Sequence, residues 1–313
     1  MTQFNNSPKV SVIINCYNAE KYLREAIDSV FAQTYKNWEI ILWDNASTDK
    51  TAEIAKSYPA DRVRYFRGEV NVPLYAARNL AVPKATGEFI GFLDSDDIWL
   101  PTKLEKQVPL FRNDKVALVY SDCFLFNDAG NFSSYFLKRP FMRGNRFREL
   151  LVDYFIPMPT ALVRRSVLSQ FPKAFDDRYD IIGDADTFRR IALNWEIDCV
   201  EEPLARYRVH RGSLSWKKVE KFSVEIRQSI ADYLREIPGF KEKYASELHK
   251  LEFYEAWSDA KILVRNGKRE EARRALKPFL GFKKAKALFL ATFLPNVLYC
   301  ALERTYLKRY GFS

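Results

Sequence analysis

The run Phe89-Ile90-Gly91-Phe92-Leu93 leading into Asp94-Ser95-Asp96-Asp97 constrains this chain more than any other stretch. A short apolar segment stops at three carboxylates within four residues. In an extended chain successive side chains alternate faces, so Asp94 and Asp96 would point the same way. Two carboxylates at a strand end suit a hard divalent cation, which can also hold the phosphates of a substrate. The plainer alternative is a solvated turn after a buried strand, where Asp is common.

The first half of the chain repeats this design. Val10-Ser11-Val12-Ile13-Ile14 is β-branched and nearly continuous in apolarity, as a buried parallel strand should be. Asn18 can cap the helix in which Tyr22, Leu23, Ala26, Ile27, Val30 and Phe31 recur at helical spacing. Trp38 to Trp43 forms a second strand ending at Asp44-Asn45-Ala46-Ser47-Thr48-Asp49, a polar turn before a helix over about residues 50–58. Val63 to Phe66, a helix over Leu74 to Val82 and a strand over Glu88 to Leu93 complete the alternation. The expected fold class is therefore α/β, Rossmann-like, with a mostly parallel sheet flanked by helices. Ligands of such sheets bind beyond the carboxyl ends of the strands. One crevice there would collect Asn15 to Asn18, Asp44 to Asp49 and Asp94 to Asp97.

Residues 100–212 read as mixed. Pro101 opens a helix carrying Leu104, Val108 and Phe111, Val116 to Tyr120 is a strand, and Asp184 to Trp195 is a helix with acids in its first turn. Residues 127–148 have no clear pattern. From Trp216 the pattern is helical to the end, so the expected domains are 1–215, catalytic, and 216–313, an all-α region. The most apolar stretch, Ala285 to Leu302, is broken by Lys286, Pro295 and Asn296, and makes a poor transmembrane span.

Charge separates the two regions. Residues 1–260 carry 37 Lys and Arg against 37 Asp and Glu, whereas residues 261–313 carry 13 against 3. The whole net charge of +10 thus lies at the C-terminal end. Lys283, Lys284 and Lys286 lie at the start of the apolar stretch, and Arg304, Lys308 and Arg309 follow it. That pattern suits helices lying on an anionic membrane surface. Nucleic acid is the other anionic partner to weigh, but no recognition motif accompanies the basic residues, and none is expected to bind. The short polar N-terminus predicts no signal peptide. Cys16, Cys123, Cys199 and Cys300 form no paired motif and read as buried free thiols in a reducing, cytoplasmic setting. With two histidines, a His-rich zinc site is not expected.

Several residues at predicted strand and helix ends carry alternatives. Asp44 can accept a hydrogen bond from a nucleoside base or ribose, or make an Asx turn. Asp184 and Asp186 follow Gly183 at a helix start, where acids complement the dipole or one serves as a general base. His210, in Tyr207-Arg208-Val209-His210, is a structural histidine, a third metal ligand, or a phosphate contact alongside Arg208. Arg78 is an exposed helical arginine or a diphosphate contact.

In chain order, these segments resemble those of family 2 glycosyltransferases of the A-type nucleotide-sugar fold. Val10 to Asn18, Trp43 to Asp49, Ala77-Arg78-Asn79 with Thr86-Gly87-Glu88, Asp94 to Asp97, Gly183 to Asp186 and Tyr207 to His210 carry the likeness. It covers about residues 8–215; the rest matches no catalytic pattern. Asn15 and Cys16 stand where Pro and Thr are commoner, and Pro73 replaces a frequent Gly. The resemblance implies a metal-assisted, inverting transfer of a sugar from a nucleoside-diphosphate sugar, with UDP the expected nucleotide. The acceptor would be a saccharide or polyprenyl-linked saccharide, in surface-polysaccharide or glycolipid assembly at the inner face of the cytoplasmic membrane. Asp184 would be the base, with Asp186 its rival. Mg²⁺ or Mn²⁺ would be held by Asp96, Asp94 and His210, and the donor by Asn15, Tyr17, Asp44, Arg78, Asp94 and Arg208. The alternatives are a catalytically silent sugar-nucleotide scaffold and nucleic-acid binding through the basic tail.

Overall fold

A computed structural model of the chain describes residues 7–130, 132–135, 140–210 and 221–293. The chain divides into two compact units, Met1–Ala231 and Asp232–Ser313. The boundary expected after residue 215 lies outside the described residues.

The first unit is built on one sheet. Its strands are β1 (Val10–Cys16), β2 (Trp38–Asp44), β3 (Val63–Arg67), β4 (Phe89–Phe92), β5 (Ile98–Trp99), β6 (Val116–Phe126), β7 (Phe132–Ser134), β8 (Leu162–Arg164) and β9 (Glu196–Arg208). They are ordered β3-β2-β1-β4-β8-β6-β9-β5, with β7 paired to β6. The helices of this unit are α1 (Leu23–Phe31), α2 (Thr51–Lys56), α3 (Leu74–Ala81), α4 (Lys103–Gln107), α5 (Phe147–Val152), α6 (Arg165–Leu168), α7 (Gly183–Ala192) and α8 (Phe222–Glu236), whose last turn crosses the unit boundary.

The expected α/β architecture is present, and its first half follows the predicted alternation. β1 pairs in parallel with β2 and β4, so Cys16 lies opposite Asp44 and Ile13 opposite Phe92. Every residue of β1, β2 and β4 is buried, which is what continuous apolar runs covered on both faces require. Their carboxyl ends therefore fall along one edge. Beyond β4 the sheet becomes mixed: β8 runs antiparallel to β4 and β6, while β9 runs parallel to β6 and antiparallel to β5. The β5–β9 pairing returns residues 207–210 to the acidic turn after β4.

Two local expectations are corrected. Asn18 does not cap α1, whose N-cap is Tyr22 without a side-chain cap bond. It sits at φ +49° and its Oδ1 accepts from the Thr48 N–H at 2.9 Å, tying the first two strand-end turns together. Asn and Asp tolerate that left-handed region better than other non-glycine residues. The helix predicted from Pro101 is a short α4 continued by a 3₁₀ turn over Val108–Arg112, with Leu104, Val108 and Phe111 buried as expected.

One buried charge stabilises the far edge of the sheet. Burial alone would raise the Glu39 carboxyl, but hydrogen bonds from Ser11, Thr86 and Lys9 outweigh it and hold it at about 2. Because its folded-state value lies below the ordinary 4.5, its stabilisation is complete above about pH 5 and is lost as pH falls toward about 2. Glu39→Gln is expected to cost about 2–3 kcal/mol at pH 7 and to flatten the loss of stability below pH 5. Urea denaturation at pH 7 and pH 3 checks this; equal losses at both would show that charge is not the cause.

The second unit contains α9 (Phe240–Lys243), α10 (Ala245–Arg265), α11 (Arg269–Leu276) and α12 (Lys283–Ala291). Phe253, Ala260, Val264, Ala272, Leu276, Ala285 and Leu288 form its core, with Phe253 and Phe282 stacked at 4.2 Å. No helix among the described residues is long and apolar enough to cross a membrane. Arg304, Lys308, Arg309 and the second half of the Ala285–Leu302 stretch lie outside them.

Candidate active site

At the carboxyl ends of β1, β2 and β4 lies an open cleft of about 750 Å³, in the size range of small-molecule sites. Of the residues singled out from the sequence, Asn15, Tyr17, Arg78, Asp94, Asp96, Asp184 and His210 line it. Residues separated by nearly two hundred positions are thus brought to one place.

The acidic corner forms where β4 ends. Leu93 continues the strand's pairing through its N–H to the Ile13 carbonyl, and the chain then turns, with the Asp97 N–H donating to the Asp94 carbonyl. Asp94 accepts from the Arg78 guanidinium, which α3 delivers almost fully buried against the Tyr75 and Phe175 rings. Asp96 meets His210 Nε2 at 2.8 Å. Burial, then the neighbouring charge of Asp94, raises the Asp96 carboxyl above its ordinary value. Asp97 is raised further, by burial and by Asp96 and Asp94. Its Oδ1 accepts from the Arg208 N–H at 2.8 Å, while its buried Oδ2 has no hydrogen-bond partner.

A carboxylate–imidazole pair in a locally excess negative charge fits a hard divalent cation. Asp96 and His210 are the two groups already in contact. The three expected ligands do not converge as a set: Asp94 is turned toward Arg78, and no three carboxylates, imidazoles or thiols meet with metal-binding geometry among the described residues. A cation here would take its remaining ligands from water or a bound phosphate.

Opposite the acidic residues in sequence, α7 begins at Gly183, against the ring of Tyr75. A Cβ at residue 183 would come within 2.6 Å of that ring, so this approach requires glycine. Asp184 Oδ2 accepts from Tyr154 Oη at 2.8 Å, and its Oδ1 accepts from its neighbour Ala185 N–H at 2.9 Å. Tyr75 Oη lies 3.1 Å from Asp184 Oδ1 and 2.8 Å from the Ile181 carbonyl, so its single proton serves one or the other. Burial, then the charge of Asp184, raises both phenols well above their ordinary value, which keeps them protonated and donating. Asp186 faces away from the cleft. It is buried, accepting from Arg190 Nε and Ser229 Oγ at 2.9 Å each.

Asn15 is nine-tenths buried on the cleft wall with both amide atoms unpartnered. An unsatisfied buried amide costs about 1–3 kcal/mol, which a ligand can relieve. Tyr17 stands half exposed at the cleft.

Two residues expected at the donor lie off the cleft. Asp44 does not reach the cleft. It is fully buried, its Oδ1 accepting from the Ser47 N–H at 2.8 Å in an Asx turn and its Oδ2 from Tyr65 Oη at 2.6 Å. Arg208 does not face the cleft either. Its guanidinium lies between the Tyr22 and Phe126 rings and donates to Glu25, Asp128 and the Asp96 carbonyl. That last bond holds the backbone of Asp96, so Arg208 shapes the acidic turn from behind.

Tyr75, Tyr154 and Asn71 on the cleft wall were not singled out from the sequence; Asn45, in the Asp44 to Asp49 turn expected at the crevice, lies there with them. Asn45 Nδ2 donates to Asn71 Oδ1 at 2.6 Å and to the Val72 carbonyl at 2.7 Å, fixing the loop before α3. Asn79, quoted beside Arg78, bonds both backbone groups of Phe175 and so ties α3 to the segment leading to α7.

Comparison with known proteins bears on this arrangement. The family described as Glycosyl transferase family 2 matches residues 11–171. The Escherichia coli protein WfaP, named UDP-Glc:alpha-D-GlcNAc-diphosphoundecaprenol beta-1,3-glucosyltransferase, is 31% identical over 223 residues, 70% of this chain and 84% of its own length. A Bacillus subtilis relative, EpsE, is 46% identical over 36% of this chain, and a Rickettsia felis relative 31% identical over 71% of it; the chain spans only 41% and 36% of their respective lengths. The fold matches S. aureus TarS 1-349 with a TM-score of 0.64 at 18% identity, covering 95% of this chain and 92% of that one. It also matches the mannosyltransferase PcManGT from Pyrobaculum calidifontis, solved with GDP-Man and Mn2+, with a TM-score of 0.61 at 17% identity, covering 96% and 88%. With more than half of the chain matched by the family, and the A-type fold present, the chain belongs to glycosyl transferase family 2.

Proposed function

We propose that this chain transfers a sugar, with inversion, from a UDP-linked donor to a hydroxyl of a saccharide or polyprenyl-linked saccharide acceptor, in the assembly of a surface polysaccharide. One observation carries the reading. The Asp96–His210 pair and the Asp184 carboxylate, held between tyrosine hydroxyls, line the same cleft. Asp184 takes the proton of the acceptor hydroxyl. That oxygen bonds to the anomeric carbon from the face opposite the nucleotide, and the bond from that carbon to the diphosphate breaks, its electron pair leaving with the UDP. Mg²⁺ or Mn²⁺, held by Asp96 and His210, would supply positive charge for the leaving diphosphate. Asn15 and Tyr17 would contact the donor, and Arg78 holds Asp94 at the edge of its site.

The names of relatives support the choice of substrates. WfaP is named for a UDP-glucose donor and a diphosphoundecaprenol-linked acceptor, and TarS structures hold UDP and UDP-GlcNAc. The test is a thermal-shift screen of UDP, GDP, CDP and dTDP, each with and without Mn²⁺. A Mn²⁺-dependent rise with UDP is expected, because a ligand specific for the folded state stabilises it by mass action. No rise with any nucleotide would overturn the reading, and a rise with GDP alone would change the donor.

We further propose that the catalytic function resides in residues 1–215 and that residues 216–313 attach the enzyme to the inner face of the cytoplasmic membrane. The charge excess of residues 261–313 and the exposed side chains of Ile262, Leu290 and Phe293 support this. Deleting residues 281–313 is expected to abolish cosedimentation with anionic phospholipid vesicles. Retained cosedimentation, or equal binding to uncharged vesicles, would refute it.

A further inference from the structure

Glu225 lies outside the segments that carry the family likeness, and nothing in the proposed chemistry uses it. It is nevertheless buried, on the first turn of α8. Its carboxylate accepts from three successive backbone N–H groups: Asp180 at 2.8 Å and Ile181 at 2.9 Å, one to each oxygen, and Ile182 at 3.2 Å. These residues form the turn that leads into α7, and Asp184 follows two residues later. A carboxylate seated on consecutive amides is a strong, charge-assisted arrangement.

Two more contacts join α8 to the same region. Ser229 Oγ donates to Asp186 Oδ1 at 2.9 Å, and Lys221, immediately before the helix, pairs with Asp180. The contacts therefore flank Asp184 on both sides, at residues 180–182 and at 186. Asp184 itself remains on the cleft, which Asp180, Ile181, Ile182 and Phe222 also line. Tyr75 and Tyr154 orient the carboxylate from the cleft side, and α8 holds its backbone from behind.

We propose that Glu225 is a positioning residue for the base, fixing the 180–182 turn so that Asp184 meets the acceptor hydroxyl. This rests on the reading of Asp184 as base. A displacement of about 1 Å at a reacting group can lower the rate about a hundredfold. Gln at 225 has the same size, but it replaces one acceptor by an NH₂ that would face a backbone N–H.

The test uses the full chain, with UDP-glucose and GlcNAc-diphosphoundecaprenol as probes of transfer and UDP with Mn²⁺ as the probe of binding. Glu225→Gln is expected to lower kcat about 10- to 100-fold, while the Kd for UDP changes less than about twofold. Amide exchange at residues 180–182 is expected to accelerate at least about tenfold. In an Asp184→Asn background, adding Glu225→Gln should change the residual rate less than about twofold, because a residue acting only through the base has nothing left to position. Unchanged kcat, an equal loss in both backgrounds, or a parallel loss of UDP affinity would each overturn the inference. Full activity in Asp184→Asn alone would instead refute the base assignment. Should Glu225→Gln not fold, Glu225→Asp keeps the charge one methylene short, and the same readouts are expected to fall between those of Gln and the native residue.

Discussion

Replacing Asp184 by Asn is expected to lower sugar transfer about a thousandfold, within the range supplied by general-base catalysis. The substitution leaves the volume unchanged and keeps one oxygen to accept from Tyr154, so the fold around α7 has little reason to move. What it removes is the ability to take up a proton. Asp184 has no direct bond to Asp94, Asp96 or His210 and reaches Asp94 only through Tyr75 and Arg78, so Mn²⁺-dependent binding of UDP should stay within about twofold of the native value. The pair of measurements separates chemistry from binding. A variant retaining more than about a tenth of the rate would place the base elsewhere, and a variant that loses UDP binding in parallel would show that Asp184 acts through the donor site.

The choice of Asp184 over Asp186 illustrates what the sequence could carry. Two residues apart on a helix lie about 200° around its axis, so only one of them can face a given cleft. Which one does so depends on Ser229 and Arg190, which draw Asp186 inward. The first half of the sheet was legible because β1, β2 and β4 are short, wholly buried runs, and because parallel pairing puts their polar ends on one edge. In the second half only the start of β6 was. β8 is three residues long, and β9 carries Glu201, Glu202 and Pro203 in its middle, where its register against β6 shifts. Without β9, the place of His210 beside Asp96 could be inferred only from the resemblance. Asp44 and Arg208 lie off the cleft for a different reason. Each carries a charge that the fold neutralises locally, Asp44 with Tyr65 and Arg67, Arg208 with Glu25 and Asp128. Those partners come from separate segments, and no spacing pattern announces them. Glu225 was missed because its role is to bind backbone, which leaves no signature of residue type in the turn that it holds.

Asp96→Asn should move stability and function in opposite directions. In the folded chain the Asp96 carboxyl is raised by burial and by Asp94, so the folded state binds its proton more tightly than the unfolded state does. Its contribution to stability therefore falls as pH rises from the ordinary carboxyl value through the folded one, the penalty falling on its charged form. Asn removes that charge and still offers an oxygen to His210, so the unliganded variant is expected to melt higher than the native chain at pH 7. Sites that hold charge for function commonly carry this kind of destabilisation. The same substitution removes one of the two groups proposed to hold the cation. The rise in melting temperature that UDP and Mn²⁺ together confer should vanish, a loss of about 2.7 kcal/mol at a ligand concentration one hundred times Kd. Transfer should fall about a hundred- to thousandfold, as when a stabiliser of the developing charge is removed. Thermal melts with and without Mn²⁺ and UDP read both effects in one experiment. A variant that melts lower and still responds to Mn²⁺ would make the Asp96–His210 contact a structural tie and place the cation elsewhere in the cleft. A variant that melts higher and no longer responds would identify the acidic turn as a site whose buried charge is useful only once the donor's diphosphate and its cation are present.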